Sequence, residues 1–226
     1  MRTYIGLVWA IARKDLLVEF RTLDRLTAMG AFVVLIGILF NFSIDTTVVR
    51  PQDIATGLIW MTIIFGGMLG MGRTFSLEEQ DGALTGILQS PIPLDALYLG
   101  KVLGNFVLLS AMVVLVFLVF GMFFGLTFAG SLASLVGVVA SGVLGFVALT
   151  TLFSAMTTRS SMGEGLLPVL IFPLLVPVIV YGTTATNRLF AGRPFAEVDG
   201  NLRMLAAFAI GSTVVCAWLF RFVIEE

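Results

Sequence analysis

The sequence predicts an all-α integral membrane protein with six transmembrane helices. Three observations lead to this prediction. Of the 226 residues, 58% are hydrophobic, and the mean hydropathy is +1.06. Only 12% are charged, which is about half the fraction in a soluble domain. The apolar residues also fall in runs of the length that a helix needs to cross a bilayer.

Charge and cysteine content exclude several other classes of function. The net charge of −1 gives no indication of nucleic-acid binding. Cys216 is the single cysteine, so an intrachain disulfide and a multi-cysteine metal site are both excluded. Residues 1–25 carry charges throughout and lack the uninterrupted apolar core of a cleavable signal peptide.

The N-terminal segment 1–25 is predicted to be an amphipathic helix on the cytoplasmic surface of the membrane. Apolar residues recur there at spacings of three and four, which places them on one stripe of a helix. They are Ile5, Trp9, Ala12, Leu16, Phe20 and Leu23. Trp9 and the basic residues suit the lipid headgroup layer. An ordinary juxtamembrane extension is the alternative.

Six apolar runs in residues 26–226 form the predicted transmembrane domain. Each is long enough to cross the hydrocarbon core of a bilayer, which takes about 20 residues. The runs are 26–44, 54–72, 102–128, 130–156, 165–186 and 204–222. Only a short turn near Ala129 separates the third run from the fourth, so these two predict a helical hairpin.

The basic residues predict which side of the membrane holds the termini. Six spans place both termini on one side, together with the polar segment 73–101. That side carries nine Lys and Arg residues, and the other side carries four. Because cytoplasmic loops are richer in Lys and Arg, both termini and the segment 73–101 are predicted to be cytoplasmic.

Small residues recur within the spans at spacings that let helices pack closely. They are Gly66 and Gly70 in the second span, Gly121 and Gly125 in the third, and Gly137, Ser141 and Gly145 in the fourth. Packing within one bundle accounts for these positions. A contact between two copies of the chain is the alternative.

The fifth span contains three prolines in the sequence GLLPVLIFPLLVPVIVYG. Pro168, Pro173 and Pro177 each remove a backbone N–H donor and disfavour a straight helix. The pattern therefore predicts a kinked or locally unwound helix. Either the kink rearranges during a working cycle or it is a static bend, and the residues leave both interpretations open.

The middles of the predicted spans contain no ionisable residue. Asp45, Arg73, Glu164 and Arg221 all fall near predicted ends. Ion-coupled transporters and channels for small ions usually place such residues within the membrane. The sequence therefore argues against both classes.

The segment 73–101 is a polar, acidic interval between two spans, and a short helix is predicted within it. Its acidic residues suit the positive end of the helix dipole, and proline ends it. The acidic residues are Glu78, Glu79 and Asp81, the apolar residues include Leu84 and Leu88, and the terminating proline is Pro91. The exposed apolar residues of such a helix would need a groove on another protein.

The order of residues from Glu78 to Lys101 resembles the ABC-2 type exporter permeases. Their pattern is an acidic pair, a glycine, an apolar helix ending in Ser-Pro or Thr-Pro, and a Gly-Lys pair. The matching positions are Glu78, Glu79, Gly82, Leu84, Leu88, Pro91, Gly100 and Lys101. The resemblance implies a coupling helix that docks into a separate ATPase subunit. The residues expected to face that subunit are Glu78, Glu79, Asp81, Gly82, Leu84, Leu88 and Pro91.

Three further segments make the match closer. They are ARKDLLVEFRT (12–22), GLIWMTIIFGGMLGMGRTFSLE (57–78) and LLPVLIFPLLVPVIVYG (166–182). On these segments the chain is identified as a member of the CcmB family, the permease subunit of the cytochrome c maturation ABC complex. The resemblance implies the bacterial inner membrane as location and the ATPase CcmA, CcmC and CcmD as partners. Two copies of the permease per complex are expected.

Motifs that the chain lacks restrict its role. It has no GxxxxGK[ST] phosphate loop, so it is not predicted to be an enzyme, and ATP and Mg²⁺ are expected on the partner subunit. It has no CxxCH haem-attachment motif and no histidine, the commonest axial haem ligand. No cofactor is therefore assigned to this chain, while haem in the complex stays open.

The predicted function is that of a membrane permease subunit driven by a separate ATPase during cytochrome c maturation. It either exports haem or takes part in ATP-driven release of the loaded haem chaperone. Two alternatives stay open: an ABC-2 permease for another hydrophobic substrate, and a non-transporting scaffold for haem-handling subunits.

Overall fold

The computed structural model describes residues 2–45, 51–72, 74–75, 86, 92–126, 128, 130–158 and 166–225. Eight α-helices and no strand lie in this part of the chain. They are α1 (Arg2–Thr22), α2 (Asp24–Ser43), α3 (Pro51–Met71), α4 (Leu94–Phe124), α5 (Leu132–Thr158), α6 (Leu166–Leu174), α7 (Val176–Phe190) and α8 (Phe195–Glu225). The prediction of an all-α chain is confirmed.

Five helices are long and apolar enough to cross a membrane, namely α2, α3, α4, α5 and α8. Helices α6 and α7 pass the same test only as a pair, and they are bent by 56° relative to each other. Counting this pair as one span gives the six spans predicted from the apolar runs. The described residues therefore form the helical architecture of an integral membrane permease.

Two helices extend well beyond the apolar runs that revealed them. Helix α4 begins at Leu94 and α8 at Phe195, although their apolar runs start at residues 102 and 204. Each helix has 31 residues and is therefore about 46 Å long, which exceeds the hydrocarbon core of about 30 Å. Hydropathy marks only the part of a helix that lies in lipid, whereas backbone hydrogen bonding continues into the polar flanks.

Helix α3 lies at the centre of the bundle, in contact with α2, α4, α5 and α7. Helix α8 packs along α5, and α1 packs along the first half of α4. The largest fully buried side chains include Trp60, Tyr98, Phe120, Phe146 and Phe220. The core is thus shared among all the long helices.

Glycines of α3 receive large side chains from neighbouring helices. A Cβ atom at Gly66 would lie 2.8 Å from Met112 of α4, and one at Gly70 would overlap Met29 of α2. The interpretation of Gly66 and Gly70 as packing positions within one bundle is therefore confirmed. A Cβ added at Gly121 would meet no atom within 4 Å, so this glycine plays no such part in the described chain.

The indole of Trp60 joins three helices. It lies against Gly142 of α5 and Gly182 of α7, where an added Cβ at Gly182 would be 2.6 Å from the ring. Its Nε1–H donates a hydrogen bond to Thr186 Oγ1 at 3.0 Å, within the buried core. Trp60 therefore fixes how closely α7 approaches α3 and α5.

Candidate functional site: a buried polar network at the base of the 73–101 segment

Lys101 is a charged residue in the mostly apolar helix α4, and it is buried with 2% of its surface exposed. Its Nζ lies 3.1 Å from Asp15 Oδ2 of α1 and donates to the Thr74 carbonyl oxygen at 3.3 Å. The ammonium group also lies 5.1 Å from the ring centroid of Phe75. Lys101 thus connects α4 with α1 and with the chain that follows α3.

Gly100 explains how α1 reaches this position. A Cβ at Gly100 would lie 2.7 Å from Ile11 Cβ and 3.0 Å from the Val8 carbonyl oxygen. The missing side chain therefore allows α1 to pack directly on α4, which brings Asp15 to Lys101. The adjacent Gly and Lys of the family pattern thus contribute to one contact between two helices.

Asn105 lies one turn further along α4 and uses both ends of its amide. Its Nδ2 donates to Thr74 Oγ1 and to Thr151 Oγ1, each at 3.1 Å. Its Oδ1 accepts a hydrogen bond from Arg25 Nη1 at 3.3 Å. Since Arg25 belongs to α2 and Thr151 to α5, this side chain connects four parts of the bundle.

Glu19 closes the network at the junction of α1 and α2. Its carboxylate accepts hydrogen bonds from the backbone N–H of Arg25 at 2.9 Å and of Leu26 at 3.1 Å. It also forms an ion pair with Arg25 Nε at 2.6 Å. The first N–H groups of a helix have no partner within the helix, and Leu23 at the N-cap supplies none. Glu19 therefore caps α2 from the preceding helix.

Leu23 occupies the corner between these two helices with φ 58° and ψ 12°. It is the one non-glycine residue with positive φ in the described chain. This left-handed conformation is unfavourable for a residue with a Cβ. The Glu19 hydrogen bonds on the far side of the corner stabilise it, so the angle between α1 and α2 is fixed by side-chain contacts.

The charges of the network balance one another. Asp15 and Glu19 carry two negative charges, and Arg25 and Lys101 carry two positive charges. All four side chains are at most 15% exposed. Because a buried charge without a partner is strongly destabilising, these residues must be considered as one unit. We call Asp15, Glu19, Arg25, Thr74, Lys101, Asn105 and Thr151 the Lys101 network.

Both ends of the 73–101 segment are attached to the bundle around this network. At the first end, Ser154 Oγ donates to the Gly72 carbonyl oxygen at 3.1 Å, and Phe75 packs on Phe220. At the second end, Tyr4 of α1 donates from its hydroxyl to Asp95 Oδ2 at 2.8 Å. Burial, and then the Asp95 carboxylate, raise the pKa of Tyr4 to about 12.

The residues predicted to face an ATPase lie outside the described residues. They are Glu78, Glu79, Asp81, Gly82, Leu84, Leu88 and Pro91. Between Phe75 and Ile92, Gly86 is the described position, and it has helical conformation. What the structure describes is therefore the attachment of the segment, whose contact residues stay predictions.

The three prolines of the fifth span lie on either side of a break in the helix. Pro168 and Pro173 belong to α6, and Pro177 lies in the first turn of α7. Leu175 sits between the two helices and is fully buried. Proline is tolerated in a first turn because the N–H there has no partner, so α7 begins where Pro177 allows it. Whether the break moves during a cycle stays a prediction.

Sequence reasoning missed most of the Lys101 network. The Gly-Lys pattern marks Lys101 but gives its side chain no partner, and the charges of residues 1–25 do not by themselves place Asp15 and Glu19 in a buried network. A usable signal existed, since both acids fall at the spacing of the packed face of α1, which also contains Tyr4, Val8, Ile11 and Ala12. Among the described residues, no three Cys, Asp or Glu side chains could hold a metal ion.

A bundle of helices long and apolar enough to cross a membrane is the architecture of a multi-pass integral membrane protein. The particular family follows from comparison with known proteins. The model of the CcmB protein family matches residues 6–225. The chain therefore belongs to the CcmB family.

Curated relatives cover nearly the whole chain. The chain is 27% identical over 208 residues to heme exporter protein B of Escherichia coli K12, with 92% of each chain covered. It is 26% identical over 210 residues to heme exporter protein B of Rhodobacter capsulatus, covering 91% of this chain and 93% of the relative. A third protein of that name, from Paracoccus denitrificans, is 29% identical over 185 residues, covering 80% and 82%.

Proposed function

We propose that this chain is the membrane permease subunit of an ABC transporter complex that acts in cytochrome c maturation. The observation that carries the proposal is the family match, which extends over residues 6–225. The relatives named heme exporter protein B match over nearly the full length of both chains, so we assign the role of the whole relative to this chain. The subunit either exports haem or drives release of a loaded haem chaperone.

The energy comes from ATP hydrolysis on a separate ATPase subunit, CcmA, since the chain has no phosphate-binding loop. In the proposal the chain itself is therefore not an enzyme. Residues 78–91 dock on the ATPase from the cytoplasmic side, where both termini also lie. CcmC, CcmD and a second copy of the permease complete the complex in the bacterial inner membrane.

The Lys101 network supports a route by which an ATPase-driven movement of the 73–101 segment reaches the membrane helices. A displacement of the 73–101 segment acts on Thr74 at one end and on Asp95 at the other. Thr74 contacts Lys101 and Asn105, while Asp95 contacts Tyr4 of α1. The segment is thus coupled to α1 and α4 together, and through Asn105 to α2 and α5. A rigid, fully paired network transmits such a displacement better than separate exposed contacts.

Deletion of the gene tests the proposal directly. We expect the deleted strain to lose its c-type cytochromes, detected as covalently bound haem on denaturing gels, and to regain them on complementation. Retention of all c-type cytochromes would overturn the assignment in favour of a permease for another substrate. Maturation that persists with a hydrolysis-dead ATPase would instead assign the chain as a scaffold.

A further inference from the structure

Helix α1 separates its charges between two opposite faces. Asp15 and Glu19 are its two acidic residues, and both point into the bundle, where Lys101 and Arg25 pair with them. Arg13 and Arg21 lie on the exposed side. At about 100° per residue, the exposed cations lie roughly opposite the packed acids on the helix. The outward face therefore carries positive charge, although the segment as a whole contains both signs.

The exposed cations surround a shallow groove. It has a volume of about 310 Å³, and its lining residues recur along α1 at spacings of three and four, so they lie on one side of the helix. Its lining residues are Ala10, Arg13, Lys14, Leu17, Val18 and Arg21. Apolar side chains thus form the floor, with small Ala10 at one end, and basic groups stand at the sides. Lys14 contributes from a half-exposed position while its Nζ lies 3.1 Å from Asp15 Oδ1.

An apolar flank runs between the packed face and this basic stripe. Ile5, Trp9 and Phe20 belong to it, and each is about 60% exposed. Large apolar side chains beside arginines suit the boundary between acyl chains and headgroups. The flank continues to Leu23, directly before α2 enters the predicted first span. A lipid therefore accounts for the apolar flank and the cations together, whereas an acidic protein would account only for the cations.

We propose that Arg13, Lys14 and Arg21 form a binding site for the phosphate headgroup of an anionic phospholipid, whose acyl chains lie along the apolar flank of α1. Guanidinium groups hold phosphate oxygens through two parallel hydrogen bonds, and the lysine adds a third positive charge. The site is specific for anionic lipids because a zwitterionic headgroup brings its own cation. This proposal depends on the surface placement of α1 but not on which molecule the complex moves.

Native mass spectrometry of the purified full-length chain tests the site. The protein is released from micelles that contain equal amounts of phosphatidylglycerol and phosphatidylcholine, and the lipids that remain bound are counted. We expect the wild type to retain phosphatidylglycerol preferentially. The double variant R13Q/R21Q should retain less by about fivefold for each arginine removed, whereas R13K/R21K should retain most of it.

The control is R193Q/R203Q, which removes two exposed arginines near the end of the bundle where Phe190 packs on Phe128, and of these Arg203 is paired with Asp199. It should leave phosphatidylglycerol retention near the wild-type level. Equal retention in both glutamine variants, or equal retention of the two lipids by the wild type, would overturn the proposal. Loss of the ATPase partner from R13Q/R21Q with unchanged lipid binding would also overturn it and identify the stripe as a protein-binding surface. Cytochrome maturation is measured separately, so failure of the lipid site and failure of the proposed function are distinguishable.

Discussion

At the scale of single residues, the chain places its charges where each has a partner. Lys101 and Glu19 are nearly inaccessible, yet each meets an opposite charge within 3.1 Å. Such burial is costly unless the pairing is complete, because desolvation removes the interaction of both ions with water. These pairs therefore define the position of α1 on α4 more sharply than apolar packing alone would.

The variant K101M tests this pairing. It leaves Asp15 with reduced compensation in a buried position, so we expect a loss of about 3–5 kcal/mol in stability. The measurement is the midpoint of thermal unfolding of the purified protein in detergent. K14M is the control, since Lys14 also contacts Asp15 but is half exposed, and it should cost about 1 kcal/mol or less. We also expect the double variant D15N/K101M to regain much of the stability that K101M loses. An unfolding midpoint of K101M equal to that of K14M would contradict the prediction.

At Leu23 we expect a glycine variant to be more stable than an alanine variant, which is the reverse of the usual order in a helix. Its φ of 58° favours glycine, so L23G should be more stable than L23A by about 1 kcal/mol. At Leu17, in the middle of α1, the order should reverse, because glycine lowers helix stability there by about 1 kcal/mol. Unfolding midpoints of the four variants give both differences. If the alanine variant is more stable than the glycine variant at both positions, the backbone at residue 23 is not strained.

At the scale of helices, the broken fifth span and Trp60 belong together. Helix α7 starts at Val176 after a 56° bend and then packs on the indole through Gly182. The hydrogen bond from Trp60 to Thr186, one turn later, fixes its rotation. The bend therefore places α7 against α3 and α5, and only a residue without a Cβ fits at the contact.

The variant G182A should disturb this contact. Its new Cβ would lie 2.6 Å from the Trp60 ring, and overpacking of this kind costs about 1–3 kcal/mol. We expect a lower unfolding midpoint and partial recovery in G182A/W60F, where the smaller ring makes room. G57A provides the control, since nothing lies within 4 Å of that position. If G182A and G57A unfold at the same temperature, the indole does not limit the approach of α7.

At the scale of the whole molecule, the ATPase contact is the feature that the proposed function depends on most. We expect E79K to reduce co-purification with the ATPase several-fold, because a charge reversal in the proposed docking segment 78–91 would remove a complementary contact. Membrane insertion should be unchanged. E197K, at the exposed opposite end of the bundle, is the control for a charge reversal as such. Undiminished co-purification of E79K would remove residues 78–91 from the docking surface.

The architecture could be predicted from the sequence because lipid imposes a simple rule on helix composition. Apolar runs located every helix that is long and apolar enough to span a membrane, and three prolines marked the span that is bent. The Lys101 network could not be predicted, because it joins residues from α1, α2, α4 and α5 that only the packed bundle brings together. Hydropathy also missed the first turns of α4 and the start of α8, where the backbone stays helical outside the apolar region. Residues 187–203, which lie between the fifth and sixth apolar runs, are helical for the same reason except at 191–194.

Helix α4 runs unbroken from Leu94 to Phe124, and Lys101 and Asn105 hold it near one end. A rigid helix held near one end can tilt about that end. About 35 Å separate Lys101 from Phe124 along the helix axis, so a tilt of about 5° at the pivot moves the far end by roughly 3 Å. The far end carries the Phe123 carbonyl oxygen that accepts a hydrogen bond from Asn41 of α2. A tilt of this size would therefore lengthen that distant hydrogen bond unless α2 moved with α4, so a small displacement at the base of the 73–101 segment would reach the opposite end of the bundle.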